Sequence, residues 1–179
     1  MEPVDLSGTL RRLEPSGWVG AARAFARSLR AAGQDPGRLL VVGTEEEEPW
    51  HLTAHLSDAA RWGALPGPPP VLVRRHVPEG APPHLSIGLD AVHRASRGER
   101  VLVAAPTAAD DLLLERLDDA RKHGAVLYAL HDADRTLEEL AHEALALPEY
   151  GGLDTATHVL TARELPRRRW SLRRNWGPG

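Results

Sequence analysis

The segment from Glu99 to His131 leaves this chain few folds to adopt. After Arg100 it runs Val101-Leu102-Val103-Ala104-Ala105, unbroken and apolar, and is stopped by Pro106. Such a run suits a strand buried on both faces. Thr107 is placed to cap a helix, with Asp110 and Asp111 in its first turn, where the helix dipole favours carboxylates. Leu113, Leu114, Leu117, Ala120 and Arg121 then recur at helical spacing, which turns one stripe toward a sheet. Lys122 and His123 sit in the last turn, and Gly124 closes it. Ala125 to Leu130 is a second apolar run. Two such strands joined by one helix pair in parallel through a right-handed crossover.

The remaining residues extend this βαβ unit into a single α/β domain, a three-layer α/β/α sandwich with a five-stranded, mostly parallel sheet. Gly17 to Ala32 predicts a helix, with Val19, Ala22, Ala26, Leu29 and Ala32 on one stripe. Leu39 to Gly43 is the first strand, and Thr44 to Gly63 the next helix, with Pro49 near its first turn. Val71 to Arg75 grows polar toward its end, as an edge strand would. Ser86 is placed to cap a helix from Ile87 to Arg97. Asp132 or Asp134 caps another from Arg135 to about Ala144, and Ala144 to Pro148 is a short fifth strand. Asp154 to Ala162 reads as a helix capped by Asp154, with a strand as the alternative. The domain is expected to span residues 17–162, between a weakly patterned mobile arm at 1–16 and a basic tail at 163–179.

Composition removes several functions. Without cysteine among the 179 residues, disulfides, thiol catalysis and Cys-ligated zinc are excluded. A net charge of -3 opposes bulk attraction to nucleic acid or anionic membrane. Met1 to Asp5 lacks the basic and apolar regions of a signal peptide, and no apolar run reaches membrane-spanning length, so a cytoplasmic location without membrane insertion is expected. The tail is the exception in charge. Arg167-Arg168-Arg169-Trp170 and Arg173-Arg174-Asn175-Trp176 suit nucleic acid, an anionic lipid surface or, through their Trp rings, a second subunit.

In an open parallel sheet, ligands bind at the carboxyl ends of the strands, where the strand order reverses. The first loop there, Gly43-Thr44-Glu45-Glu46-Glu47-Glu48-Pro49, has one Gly and four successive carboxylates. Its plain reading is a solvated, dipole-favoured helix start. The second, Ala105-Pro106-Thr107-Ala108-Ala109-Asp110-Asp111, offers one hydroxyl and two carboxylates. Neither is a dinucleotide or Walker A loop. Any phosphate there would need a distant cation such as Arg74 or Arg75.

The order of elements from Gly17 to Pro148 resembles a SIS domain, the sugar isomerase and phosphosugar-binding fold. Leu40-Val41-Val42-Gly43 lies where that family has its first strand and Gly-Ser-rich loop, and Val101 to Thr107 where it has its second phosphate loop. Gly124 to Leu130 matches its Gly-Ala-apolar strand. Trp50 to Arg61 resembles the His-bearing helix of the phosphoheptose isomerase branch. The resemblance implies a small polar or sugar-derived ligand near Gly43, Thr44, Thr107 and His131, and a homodimer. Thr44 and Thr107 are the phosphate-binding hydroxyls that remain of the family's set. The leading expectation is therefore a non-catalytic binding or regulatory module that needs no cofactor. One alternative is a metal-assisted aldose–ketose isomerase. Another is an adaptor working through the tail.

The metal alternative rests on His51, His55 and Asp58, which share a helical face and could hold a zinc-like ion. By resemblance His55 takes the place of a family ligand, and His158 is the candidate partner from a late helix. The position four residues after His55, where the family has a carboxylate, is Ala59. Surface or interface histidines are the plainer reading. His131, at the carboxyl end of the core strand, has the position of an acid–base group.

Overall fold

The computed structural model describes residues 6–31 and 37–162. Its strands are β1 (Leu39–Gly43), β2 (Val71–Val73), β3 (Arg100–Ala105), β4 (Val126–His131) and β5 (Glu143–Ala146). They form one sheet in the order β2-β1-β3-β4-β5, and every pairing is parallel. The helices are α1 (Leu6–Leu13), α2 (Trp18–Arg30), α3 (Trp50–Arg61), α4 (Asp90–His93), α5 (Asp111–Lys122), α6 (Arg135–Leu140) and α7 (Gly152–Thr161).

Two cores, one on each face, account for the unbroken apolar strands. Leu39 and Val41 of β1 join Leu102, Tyr128 and the inward faces of α2, α3 and α7. Leu40 and Val42 point the other way, to Val101, Val103, Leu127 and the helices α4, α5 and α6. Strand side chains alternate between faces, so both sets must be apolar once helices cover both sides. Phe25 meets Tyr128 edge to face at 5.7 Å, and the Tyr128 hydroxyl donates to Ser28 O.

Several element ends differ from expectation, each for a local reason. The N-terminal stretch is helical at α1, followed by a 3-10 turn at Glu14–Ser16, where the weak patterning predicts a mobile arm. Helix α3 begins at Trp50, not Thr44. Proline disfavours helical geometry in the residue before it and removes a donor, so Glu45 to Glu48 form a loop ahead of Pro49. Helix α4 is one turn, because Ile87 and Gly88 are held extended against Arg74 at the end of β2. Ser86 is no cap; its hydroxyl donates to Ala81 O and Pro82 O. Helix α6 stops at Leu140, and the sheet takes the next residues, with Tyr128 to His131 pairing Glu143 to Ala146. Asp134 caps α6, and α7 is a helix whose cap is Gly151, not Asp154. The basic tail lies outside the described residues.

Candidate functional site

Chain order reverses between β1 and β3, so the crevice opens at the carboxyl ends of these two strands. Gly43 ends β1 where the chain packs too closely for any side chain. A Cβ there would overlap Glu47 O and stand 2.7 Å from Pro49 Cδ, so the acidic loop turns back directly over it. Thr44 is 2% exposed, and its Oγ1 lies 2.9 Å from Thr107 Oγ1. The two expected phosphate-binding hydroxyls thus bond to each other across the crevice. Thr107 does not cap α5; Asp110 does, accepting from Leu113 N at 3.1 Å.

Arg74 and Arg75, just past β2, reach both acidic loops. Arg74 forks onto Glu48 at 3.2–3.3 Å and lies 5.1 Å over the Trp50 ring. Trp50 Nε1 also donates to Glu48, at 2.8 Å. The Arg75 side chain is only 6% exposed and donates through Nη2 to Asp110 Oδ2 at 2.6 Å, while its Nη1 has no partner among the described residues. Burial alone would raise the Asp110 pKa, but the Leu113 N–H and the Arg75 guanidinium hold it below the usual carboxylate value. Both arginines are thus paired with carboxylates of the two loops.

Beside the crevice lies a cavity of about 260 Å³, walled by Glu47 to Leu52, Pro106 and the start of α7 from Gly151 to Thr157. A second, of about 470 Å³, adjoins it through Pro106 and carries Asp132 and Glu149. Glu47, Glu48 and Asp154 make the first wall rich in hydrogen-bond acceptors. Thr157 lines it as well; the residue is 1% exposed, and its hydroxyl has no partner among the described residues.

His51, His55 and His158 converge at the α3–α7 seam, and His51 also lines this cavity. Their ring centroids are 4.5–5.8 Å apart. His51 Nδ1 lies 3.1 Å from Asp154 Oδ1, and its Nε2 lies 2.8 Å from His55 Nε2. Burial and the two neighbouring imidazoles lower the His55 pKa, against a smaller opposing pull from Asp58. The arrangement does not fit a metal. Two imidazole nitrogens on a tetrahedral zinc stand about 3.3 Å apart, given bonds of roughly 2.05 Å. Here the facing nitrogens are closer, and among the described residues no three His, Asp or Glu groups are placed to hold an ion.

His131 is 4% exposed within the sheet, between Ala105 and Ala146, and its Nδ1 has no partner among the described residues. Sequence reasoning missed Thr157, the pairing of Asp154 with His51, and the commitment of Arg74 to Glu48. The one available signal was the polar end of β2, which marked Arg74 and Arg75 as near an edge.

The crevice and the strand order have the SIS-like fold of sugar isomerase domains. The sugar isomerase domain of an RpiR transcription factor from Sphaerobacter thermophilus superposes with TM-score 0.51 at 16% identity, covering 79% of this chain and 75% of that one. A candidate sugar-binding protein from Salmonella typhimurium LT2 gives 0.50 at 17% identity, over 85% of this chain and 42% of that one. A candidate phosphosugar isomerase from the same organism gives 0.50 at 13%, over 80% and 42%. This chain therefore spans less than half the length of the two Salmonella proteins. No protein-family model and no curated protein matches the sequence. Among the described residues no helix is long and apolar enough to cross a membrane.

Proposed function

We propose that this chain is a non-catalytic binding module for a small polyhydroxylated, carbohydrate-derived ligand that carries no phosphate. The observation that carries this reading is the cavity wall on which the acceptors Glu47, Glu48 and Asp154 converge. Sugar hydroxyls donate well to carboxylates. A phosphate would meet repulsion of about 1 kcal/mol per carboxylate at 4 Å even in bulk water. The neighbours named as a sugar-binding protein and as the sugar isomerase domain of a transcription factor agree with a binding or regulatory role. The module is proposed to act as a homodimer, since Trp50 and Trp62 present large apolar surfaces on and just after α3.

Titration calorimetry at pH 7.5 with glucose, galactose, glucosamine and glucose 6-phosphate tests the reading. Binding of a parent sugar, weakened in Glu47→Gln and absent for the phosphate ester, is expected. Tighter binding of the ester than of its parent sugar, or no binding by any of the four, overturns it.

A further inference from the structure

A mostly apolar groove of about 530 Å³ lies at the β2 edge of the sheet, between α3 and the loop that leads to α4. Trp50 and Ala54 line it from α3, Pro70 and Leu72 from β2 and its approach, and Leu85 and Ile87 from the loop. Trp50 is 44% exposed. Among the described residues β2 is the last strand on that side, and Val71 to Val73 are laddered to β1 alone. We propose that the groove holds this chain's own basic tail, residues 163–179, with Trp170 and Leu172 seated against Trp50, Ala54 and Leu72.

Charge favours this occupant. The tail carries six arginines and one glutamate, and the whole chain has a net charge of -3, so the rest of the chain is strongly acidic. At its Trp50 end the groove adjoins the acidic loop. Glu48 accepts from Trp50 Nε1, and Glu45, Glu46 and Glu47 before it are exposed. Asp58 is exposed on α3 directly after Ser57, which also lines the groove. The arginines on that side are already paired, Arg38 with Glu99 and Arg74 with Glu48. Arg167 to Arg169 and Arg173 to Arg174 flank Trp170 and Leu172. Guanidinium heads can therefore meet carboxylates at the rim while the apolar pair leaves water.

The path is short. Arg30 Nη2 donates to Leu160 O and Ala162 O, so the chain leaves α7 beside the end of α2. Arg100 ties that same end of α2 to the approach of β2, donating to Leu29 O at 2.8 Å and to Pro66 O at 3.0 Å. Ala162 therefore stands at the end of the domain from which Pro66 to Pro70 enter β2. The chain from Arg163 to Trp170 reaches up to about 28 Å when extended. Helix α3, which it must pass, is about 10–12 Å across. In an extended segment Trp170 and Leu172 fall on one side and Ser171 on the other. Trp50 walls the ligand cavity as well, but docking of the tail does not depend on what that cavity holds. Trp62 lies outside the groove and stays available to a second copy.

The lack of cysteine makes a direct test possible. In the full chain, Ala54→Cys is combined with Ser171→Cys, and Leu112→Cys with Ser171→Cys serves as the comparison. Ala54 and Leu112 are both exposed, and their helices cover opposite faces of the sheet. Each pair is treated with a short bismaleimide at low micromolar protein. We expect about fivefold more intramolecular crosslink from the Ala54 pair than from the Leu112 pair, as the higher effective concentration of a docked tail requires. Adding Trp170→Ser and Leu172→Ser should remove the preference, and added salt should reduce it. Equal yields from the two pairs overturn the proposal, as does a preference that survives the Trp170 and Leu172 substitutions. A predominant crosslinked dimer from the Ala54 pair would put a second copy's tail in the groove and overturns it too.

Discussion

Arg75 Nη2 stands 2.6 Å from Asp110 Oδ2, joining the end of the edge strand β2 to the cap of α5 across 35 positions of sequence. Asp110 has two tasks, since its other oxygen accepts from Leu113 N. Asp110→Ala should therefore remove a cap and leave a buried guanidinium unpaired. We expect a loss of about 2–3 kcal/mol, below the full value for a buried pair because Asp110 remains about a third exposed. Arg75→Met keeps the cap and removes the buried charge, so it should cost less than about 1 kcal/mol. Urea denaturation of the two variants checks the order; the reverse order would remove the case for Asp110 as the cap.

The same pair predicts a pH dependence. The folded Asp110 carboxyl has a lowered pKa, with burial opposed and exceeded by the Leu113 N–H and Arg75. The unfolded chain therefore binds this proton more readily. The stabilisation is complete above about pH 4 and is lost as pH falls through the lowered folded value. Asp110→Asn should flatten that acid limb in a series of thermal melts.

The packing of α5 gives a graded pair. Leu117 is fully buried, whereas Leu114 is half-buried against the same core. Leu117→Ala should cost about 2–5 kcal/mol and Leu114→Ala roughly 1 kcal/mol. Equal losses in chemical denaturation would mean that the helix is rotated from the orientation described.

Gly43→Ala should displace the acidic loop, because the new Cβ would overlap Glu47 O. We expect a loss of about 1–3 kcal/mol. A changed Trp50 environment in fluorescence should accompany it, since Glu48 holds Trp50 Nε1. An unchanged melting temperature would show that the loop does not close over Gly43.

Cutting the Thr44–Thr107 bond should cost more from its exposed side than from its buried one. Thr107→Ala leaves Thr44 buried and unpaired, whereas Thr44→Val leaves an exposed Thr107 that water can satisfy. Thr107→Ala is thus expected to cost about 1–2 kcal/mol and Thr44→Val less. The inverse order in urea melts would place the two hydroxyls apart.

Local patterning determined the parts of this protein that depend on burial. Val101 to Ala105 and Leu127 to Leu130 are apolar at every position, and a strand covered on both faces needs that. Leu113 and Leu117 repeat at helical spacing, so their burial was legible too. Thr107 looked like the cap of α5 where Asp110 is, and Glu45 to Glu48 like a helix start where a loop forms. Those choices were made by partners far away: Thr44 for Thr107, Arg74 for Glu48 and Arg75 for Asp110. His51 finds Asp154 across 103 positions. Apolar burial shows as a short-range period because neighbouring residues share one face. A polar pair forms only once the sheet order has brought two distant loops to one edge, and that order is a property of the whole fold.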